Sequence, residues 1–303
     1  KIMKIKLDTE SYNIIGESPQ IREVFDIVGR AAGSQSTVMI YGESGTGKEM
    51  IARPIHRLST RNSFPFVPIN CGALTETLLE SELFGHERGA FTGAATEKRG
   101  LVEEAEGGTL FLDEIGETTP QFQVKLLRAL QEGEFRRVGS TKCKHADIRI
   151  IAATNVSLED NVHNGTFRED LYYRLNQFRI MLPPLRERSN DLLLLSQYFL
   201  EMACTEFSKD LVGFSSEVIE KFLRYSWPGN VRELENMVTQ AVILSTPPTV
   251  ELCDVPTLID KLHKNPRKTR LSDKPFSEAK NEFERKYFQN VLDRAKGNIS
   301  AAS

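Results

Sequence analysis

Residues 42 to 49 read Gly42-Glu43-Ser44-Gly45-Thr46-Gly47-Lys48-Glu49, a G-x-x-x-x-G-K run directly after the β-branched stretch Thr37 to Tyr41. Glycines at this spacing let the backbone turn tightly and aim successive N–H groups at one point. A helix that follows adds its positive end, and Lys48 supplies a mobile cation, so the run suits the β- and γ-phosphates of a nucleoside triphosphate. Position 49 holds Glu where the general pattern has a hydroxyl for magnesium, so the metal must lean on carboxylates elsewhere. Those are Asp113 and Glu114, which close the apolar run Gly107-Gly108-Thr109-Leu110-Phe111-Leu112. Asp113 suits magnesium, and Glu114 suits orienting and deprotonating a water that attacks the γ-phosphate. An isolated Asp-Glu is commonly a surface helix start; the apolar strand before it argues for the site.

The elements that position these residues follow from periodicity. Ser18 as N-cap and Pro19 at the first helical position precede Ile21, Val24, Phe25 and Val28 on one face. Ile51, Ile55 and Leu58 make the run after the phosphate loop amphipathic, with Pro54 inside it, where a ring costs about 3 kcal/mol and should kink or shorten the helix. Strands are expected at 37–41, 66–69, 107–112, 148–153 and 178–182, alternating with helices, which implies a mostly parallel sheet covered on both faces. Asn70 ends the second strand. Asn155 follows the fourth, facing the ligand crevice, although a plain turn Asn is the simpler alternative. Helices are then expected over about 191–207, 215–225 and 230–244, the last opening with Asn230 and Glu233 as a capping box and Arg232 in the first turn.

Two stretches stay open on pattern alone. Gly89-Ala90-Phe91-Thr92-Gly93-Ala94 places an aromatic among small residues with no period to bury it, so it is a mobile loop with Phe91 tucked inward or a tip presented to a partner. Arg168 and Arg174 in Phe167-Arg168-Glu169-Asp170-Leu171-Tyr172-Tyr173-Arg174-Leu175 are otherwise ordinary solvated charges.

The chain has 303 residues, 40% hydrophobic and 27% charged, with formal net charge −3. That suits about two globular domains and gives no overall basic field for nucleic acid. Four scattered cysteines favour reduced thiols in a cytoplasmic protein over a disulfide framework or zinc site. No long apolar run suggests a membrane partner. The absence of an initiator Met suggests a piece of a longer protein.

Taken together, the Gly42–Glu49 loop, Gly-Ala-Phe-Thr-Gly-Ala, Gly-Thr-Leu-Phe-Leu-Asp-Glu, the Phe167–Leu175 run and Trp227-Pro228-Gly229-Asn230-Val231-Arg232-Glu233-Leu234 resemble the AAA+ domain of the bacterial enhancer-binding proteins, the NtrC-like activators of sigma-54 RNA polymerase. The resemblance runs from about Ile14 to Leu244. It implies an α/β AAA+ P-loop domain with a five-stranded mostly parallel sheet over 14–182 and a smaller all-helical lid over 183–245. It also implies an ATPase using ATP and Mg2+ that assembles into a ring, usually a hexamer, and remodels the closed complex of sigma-54 RNA polymerase holoenzyme. Phe91 and Thr92 then form the tip that touches sigma-54, and the loop around 134–139 moves with it. Arg168 and Arg174 match arginine fingers that reach the neighbouring subunit's ATP. Asn70 matches the residue that holds Glu114 in an inactive pose, Asn155 a first sensor and Arg232 a second. Glu49 is ordinary for the family, whereas Pro54 stands where Ala is more typical.

Residues 1–13 resemble the linker after a regulatory domain, often a phosphorylatable receiver of a two-component system. Residues 246–274, with Pro247, Pro248, Pro256 and Pro266 and a basic run at 263–270, read as a second linker. Residues 275–303 read as an amphipathic helix and the truncated start of a Fis-type helix-turn-helix for enhancer DNA. Two other functions compete: a regulator that binds DNA and uses nucleotide only as a switch, and a P-loop kinase for a small molecule. Neither needs the Gly89–Ala94 loop or the paired arginines.

Overall fold

A computed structural model describes residues 15–246 and 248–256. The expectations for residues 1–13, for the linker past 256 and for the helix and truncated DNA-binding start over 275–303 lie outside the described residues. What is described through Val255 belongs to one compact unit.

The elements run α1 (Pro19–Ala32), β1 (Val38–Tyr41), α2 (Lys48–Arg57), β2 (Phe66–Asn70), α3 (Glu76–Phe84), α4 (Leu101–Glu104), β3 (Thr109–Asp113), α5 (Pro120–Glu132), β4 (Arg149–Thr154), α6 (Leu158–His163), α7 (Glu169–Leu175), β5 (Phe178–Met181), α8 (Ser189–Phe207), α9 (Ser216–Arg224) and α10 (Asn230–Leu244). The five strands form one sheet in the order β2-β3-β4-β1-β5, every pair parallel. This is the expected five-stranded α/β architecture followed by helices. Placing β3 and β4 between β2 and β1 is a consequence of crossovers that no local pattern encodes.

Alternation along the strands explains the two cores. Met39, Tyr41, Leu110, Leu112, Ile150 and Ala152 face one layer, with Leu79 and Leu83 of α3 and Phe122 and Leu126 of α5. Val38, Ile40, Phe111, Ile151 and Ala153 face the other, against Ile21, Val24 and Val28 of α1 and Ile51 and Ile55 of α2. A strand buried on both faces must be largely apolar, as Ile150 to Ala153 of β4 are between the buried Arg149 and Thr154 at its ends. Each fully buried Ile or Val of α1 contributes about 1.5–3 kcal/mol relative to exposure.

Local expectations differ from the fold at four places. Ser18 is the N-cap residue of α1 as expected, but its hydroxyl donates to Asp191 Oδ2 at 2.6 Å, across the chain, and not to the helix's own first turn. Helix α2 continues through Pro54 to Arg57, and Leu58 N–H still donates to Pro54 O at 2.9 Å. Arg168 is the N-cap residue of α7, outside its helical turns. The capping box at α10 is absent: the N-cap is Gly229, whose N–H donates to Glu233 Oε2, while the side chain of Asn230 is taken by the phosphate loop.

Candidate phosphate-loop site

Gly42 follows β1 directly, and its N–H donates to Thr154 O at 3.2 Å, tying the loop to the end of β4. Gly45 and Gly47 take φ of 77° and 95°, the left-handed region that favours glycine. Gly45 is required twice over, since a Cβ there would lie 2.2 Å from Gly229 O. The positive φ of Gly47 opens α2, so Lys48 stands in its first turn. Lys48 is buried, and its Nζ donates to Gly42 O at 3.0 Å and Glu43 O at 3.2 Å. Burial lowers its pKa, while the charges of Asp113 and Glu114 oppose that shift. Burial likewise raises the pKa of Asp113, and Lys48 acts against it.

Asp113 ends β3 opposite Asn70 of β2. Glu114 has a left-handed backbone, φ 55°, which turns the chain at the strand end. Its Oε2 lies only 2.6 Å from where a Cβ on Gly72 would sit, so Glu114 rests against that glycine's backbone. Asn70 uses its side-chain oxygen locally, accepting from Gly72 N at 2.8 Å and Ala73 N at 3.0 Å. No Asn70–Glu114 hydrogen bond occurs among the described residues in this state. Glu49 faces Arg53 at 2.6 Å, an i,i+4 pair on the surface of α2. Among the described residues Asp113 accepts the N–H of Glu114 and makes no ion pair within 4 Å, so its carboxylate fits a magnesium ion, which needs one or two carboxylates besides phosphate oxygens.

The structure brings Gly42–Lys48, Asp113, Glu114, Asn155 and Arg232 around one loop. Asn155 is exposed just past β4 and lines a cleft of about 710 Å³ with Tyr41, Gly42, Glu43 and Arg179. Arg232 Nη1 donates to Ser44 Oγ at 3.4 Å. Arg168 and Arg174 stand apart from the loop of their own chain. Arg168 pairs with Asp170 at 2.6 Å, and Arg174 donates through Nη2 to Leu130 O at 2.9 Å, at the end of α5.

Several residues around the loop escape a motif reading. Asn230, fully buried with φ 52°, donates to Ser44 O at 3.0 Å and Glu43 Oε2 at 3.1 Å and accepts from Leu185 N at 2.8 Å. Gly45 O accepts from the N–H groups of Val231 and Arg232, so the phosphate loop itself caps α10. Arg186 forks onto Glu43 at 2.6 and 2.9 Å, and its hydrogen bonds hold the Glu43 carboxyl below the usual range. Arg188 is buried with Nη2 on Thr46 O at 3.1 Å. The only sequence signal for the arginines is the charged Arg186-Glu187-Arg188 run just after Pro183-Pro184 and Leu185.

The Gly89–Ala94 stretch stands on its own stalk. Gly85–His86 pairs antiparallel with Lys98–Arg99. Gly89 N donates to Ala94 O and Ala94 N to Phe91 O, while Gly89 and Gly93 take φ of 82° and 109° with open space around each. Phe91 is half-buried, its ring edge-on to His86 at 5.1 Å, and Thr92 is exposed, so Phe91 is not tucked into the core. The neighbouring 134–139 loop is joined to the stalk: Val138 N donates to Gly85 O and Glu87 N to Val138 O. Arg137, buried beneath, bonds Glu103 at 2.7 and 3.1 Å and also Glu97.

Among the described residues no helix is long and apolar enough to cross a membrane. The family model described as a sigma-54 interaction domain matches residues 14–181, and that of an AAA+ ATPase lid domain matches residues 186–272. The Nif-specific regulatory protein of Herbaspirillum seropedicae is 54% identical over 241 residues, 80% of this chain and 44% of that protein. The regulatory protein AtoC of Escherichia coli is 45% identical over 289 residues, 94% of this chain and 63% of that one. Crystal structures of NtrX from Brucella abortus, in complex with ADP and with ATP, superpose with a TM-score of 0.76 at 34% identity; the ADP complex is matched over 96% of this chain and 65% of that one. The chain thus spans about half the length of the Nif-specific relative. With a P-loop sheet, a helical lid and the sigma-54 interaction model over more than half its length, the chain belongs to the family of NtrC-like, sigma-54-dependent transcriptional activators of the AAA+ class.

Proposed function

We propose that this chain hydrolyses ATP in a ring, most simply a hexamer, and uses the cycle to remodel sigma-54 RNA polymerase from closed to open complexes. One observation carries the reading: a phosphate loop after β1, with Asp113 and Glu114 at the end of β3 in the same sheet, shares a chain with a glycine-bounded tip that holds Thr92 in solvent and Phe91 half-covered. Hydrolysis needs the first, and a mechanical contact with a partner needs the second.

In this reading the backbone N–H groups of Gly45 to Lys48 and the Lys48 ammonium bind the β- and γ-phosphates. Asp113 would hold a magnesium ion, which would supply neutralisation of the phosphate charge. Glu114 orients the attacking water and accepts its proton. Asn70, one strand away from Asp113, alternates between its Gly72–Ala73 turn and Glu114, which withdraws the base when hydrolysis is premature. Asn155 and Arg232 report the γ-phosphate from the sheet and the lid. Arg168 and Arg174, which do not bond the loop of their own chain, act on the neighbour's ATP. The joined 87–97 and 134–139 loops transmit the change to the Phe91 tip. Enhancer DNA is a further partner in this reading, and the cytoplasm the place of action.

The test is ATP turnover as a function of protein concentration, together with capture of sigma-54 in a transition-state nucleotide mimic. Turnover per subunit should rise as subunits assemble; turnover independent of concentration overturns the ring and the role of Arg168 and Arg174 in trans. Sigma-54 should be retained by the unmodified chain and lost on Phe91→Ala. Retention by the variant overturns the contact loop and leaves a nucleotide-switched regulator as the better reading.

A further inference from the structure

Five side chains close a ring of contacts beside the phosphate loop. The guanidinium of Arg179, on β5, lies over the Tyr41 ring at 4.3 Å and donates from Nη1 to Glu159 Oε1 at 2.9 Å. Tyr172 of α7 donates its hydroxyl to the same Oε1 at 3.0 Å and accepts from Asn176 Nδ2 at 2.9 Å. Tyr41 closes the ring through a long 3.5 Å contact from its hydroxyl to Asn176 Oδ1. Every hydrogen bond of the ring therefore runs toward Glu159, in the first turn of α6, whose carboxylate has no donor to return. Burial pushes that carboxyl up, but its own backbone N–H, Tyr172 and Arg179 outweigh this and hold it below the usual range, so it stays ionised and accepts. Burial and Glu159 both raise the Tyr172 phenol, which stays the donor.

The members of this ring come from segments that matter to the nucleotide. Tyr41 is buried at the end of β1, directly before Gly42. Glu159 follows Asn155 by four residues, and Tyr41, Glu159 and Arg179 line the cleft that also holds Asn155. Tyr172 stands on α7 between Arg168 and Arg174, and Asn176 is the C-cap of that helix. Leu171 and Leu175 bury one side of α7, while Arg168 N on Gln123 and Arg174 on Leu130 O tie it to α5. None of those hydrogen bonds reaches β1 or the phosphate loop; the ring does. Glu159 and Arg179 are half exposed, where a lone ion pair adds little stability. Joined to two tyrosines and an amide in a closed network, the same pair fixes position. We propose that Glu159 is a positioning residue for the reaction at the neighbouring site: through Tyr172 it holds α7, and with it Arg168 and Arg174, in register with the root of its own chain's phosphate loop. This rests on the reading of Arg168 and Arg174 as arginines that act in trans.

The experiment compares Glu159→Ala and Tyr172→Phe with the unmodified chain. The second removes one hydroxyl and keeps the aromatic ring, so it tests the link even if the first fails to fold. ADP affinity by calorimetry should stay within about twofold, since no group that touches nucleotide is lost. Turnover at saturating ATP should fall about 10- to 100-fold in Glu159→Ala, the scale of a misplaced catalytic group, and less in Tyr172→Phe. Mixtures of subunits locate the defect. Mixed with Glu114→Gln subunits, either variant should recover turnover, because its intact Glu114 then meets arginines from a neighbour whose α7 is undisturbed. Mixed with Arg174→Ala subunits, neither should recover. Recovery with Arg174→Ala subunits, or none with Glu114→Gln subunits, overturns the proposal, since either result places the damage at the variant's own phosphate loop. Unchanged turnover in the folded variants overturns it as well and leaves the ring of contacts a surface staple. If Arg174→Ala and Glu114→Gln subunits recover nothing when mixed with each other, the reading in trans falls, and this inference with it. If that control recovers and the Glu159→Ala mixture does not, this inference alone falls.

Discussion

The side-chain amide of Asn230, in the first turn of α10, donates to the carbonyl oxygen of Ser44 in the phosphate loop at 3.0 Å. The same residue accepts from Leu185 N, so one buried side chain joins the loop, the chain after β5 and the lid helix. With Gly45 O capping α10, lid and loop move as one body unless these bonds break.

Asn230→Ala should therefore lower stability by about 2 kcal/mol, because Leu185 N loses its buried acceptor, with about 1 kcal/mol more for Ala at positive φ. Denaturant unfolding measures this. ADP affinity should fall as well, and a variant with unchanged affinity would separate the lid contact from nucleotide binding.

Lys48→Ala and Glu114→Gln should divide binding from hydrolysis. The first removes the buried cation and should abolish ATP binding while the fold persists, read by calorimetry and circular dichroism. The second keeps shape and loses the base, so ATP should bind about as tightly while turnover drops by about 10²- to 10⁴-fold. A Glu114→Gln chain that hydrolyses ATP at the original rate would remove Glu114 from the chemistry.

Arg174→Ala should reduce turnover by about 10³-fold or more, the scale of an arginine finger, without weakening nucleotide binding in its own subunit. Mixing Arg174→Ala with Glu114→Gln subunits should recover activity, since a mixed ring pairs an intact base with an intact arginine. If the mixture stays as inactive as its components, Arg174 does not act across subunits.

Glu103 sets a pH dependence beneath the Phe91 stalk. Burial pushes its carboxyl up, but hydrogen bonds from Arg137 and Lys144 outweigh that and bring it to about 2. Its folded pKa lies below the unfolded value near 4.3, so the stabilisation is present above that value and is lost as pH falls toward about 2. Melting curves from pH 6 to 2 should show this loss in the unmodified chain and a smaller one in Glu103→Gln. Equal slopes would mean that other carboxylates dominate.

Much of the site was legible because its signals are local. A phosphate loop is one strand, one glycine turn and one helix start in consecutive residues, and Asp113-Glu114 closes an apolar strand whose burial is written in its composition. The strands and helices followed from alternation and from i, i+3, i+4 spacing, with ends displaced by one or two residues. Ser18 does stand at the N-cap of α1, yet its side chain, like that of Asn230, escaped a local reading for a shared reason: both are good capping residues by type, and each side chain meets a polar group more than 170 positions away.

What the sequence by itself determined was the family, the element order and the residues able to handle a triphosphate, since short-range chemistry fixes those types and spacings. Tertiary structure alone decided the sheet order, the capping of α10 by Gly45, the linkage between the 87–97 and 134–139 loops, and the burial of Arg188 against Thr46 O. Those features depend on which distant segments pack together. Nothing in a residue's immediate neighbours records the acceptor that a long fold-back will bring to it, or fail to bring.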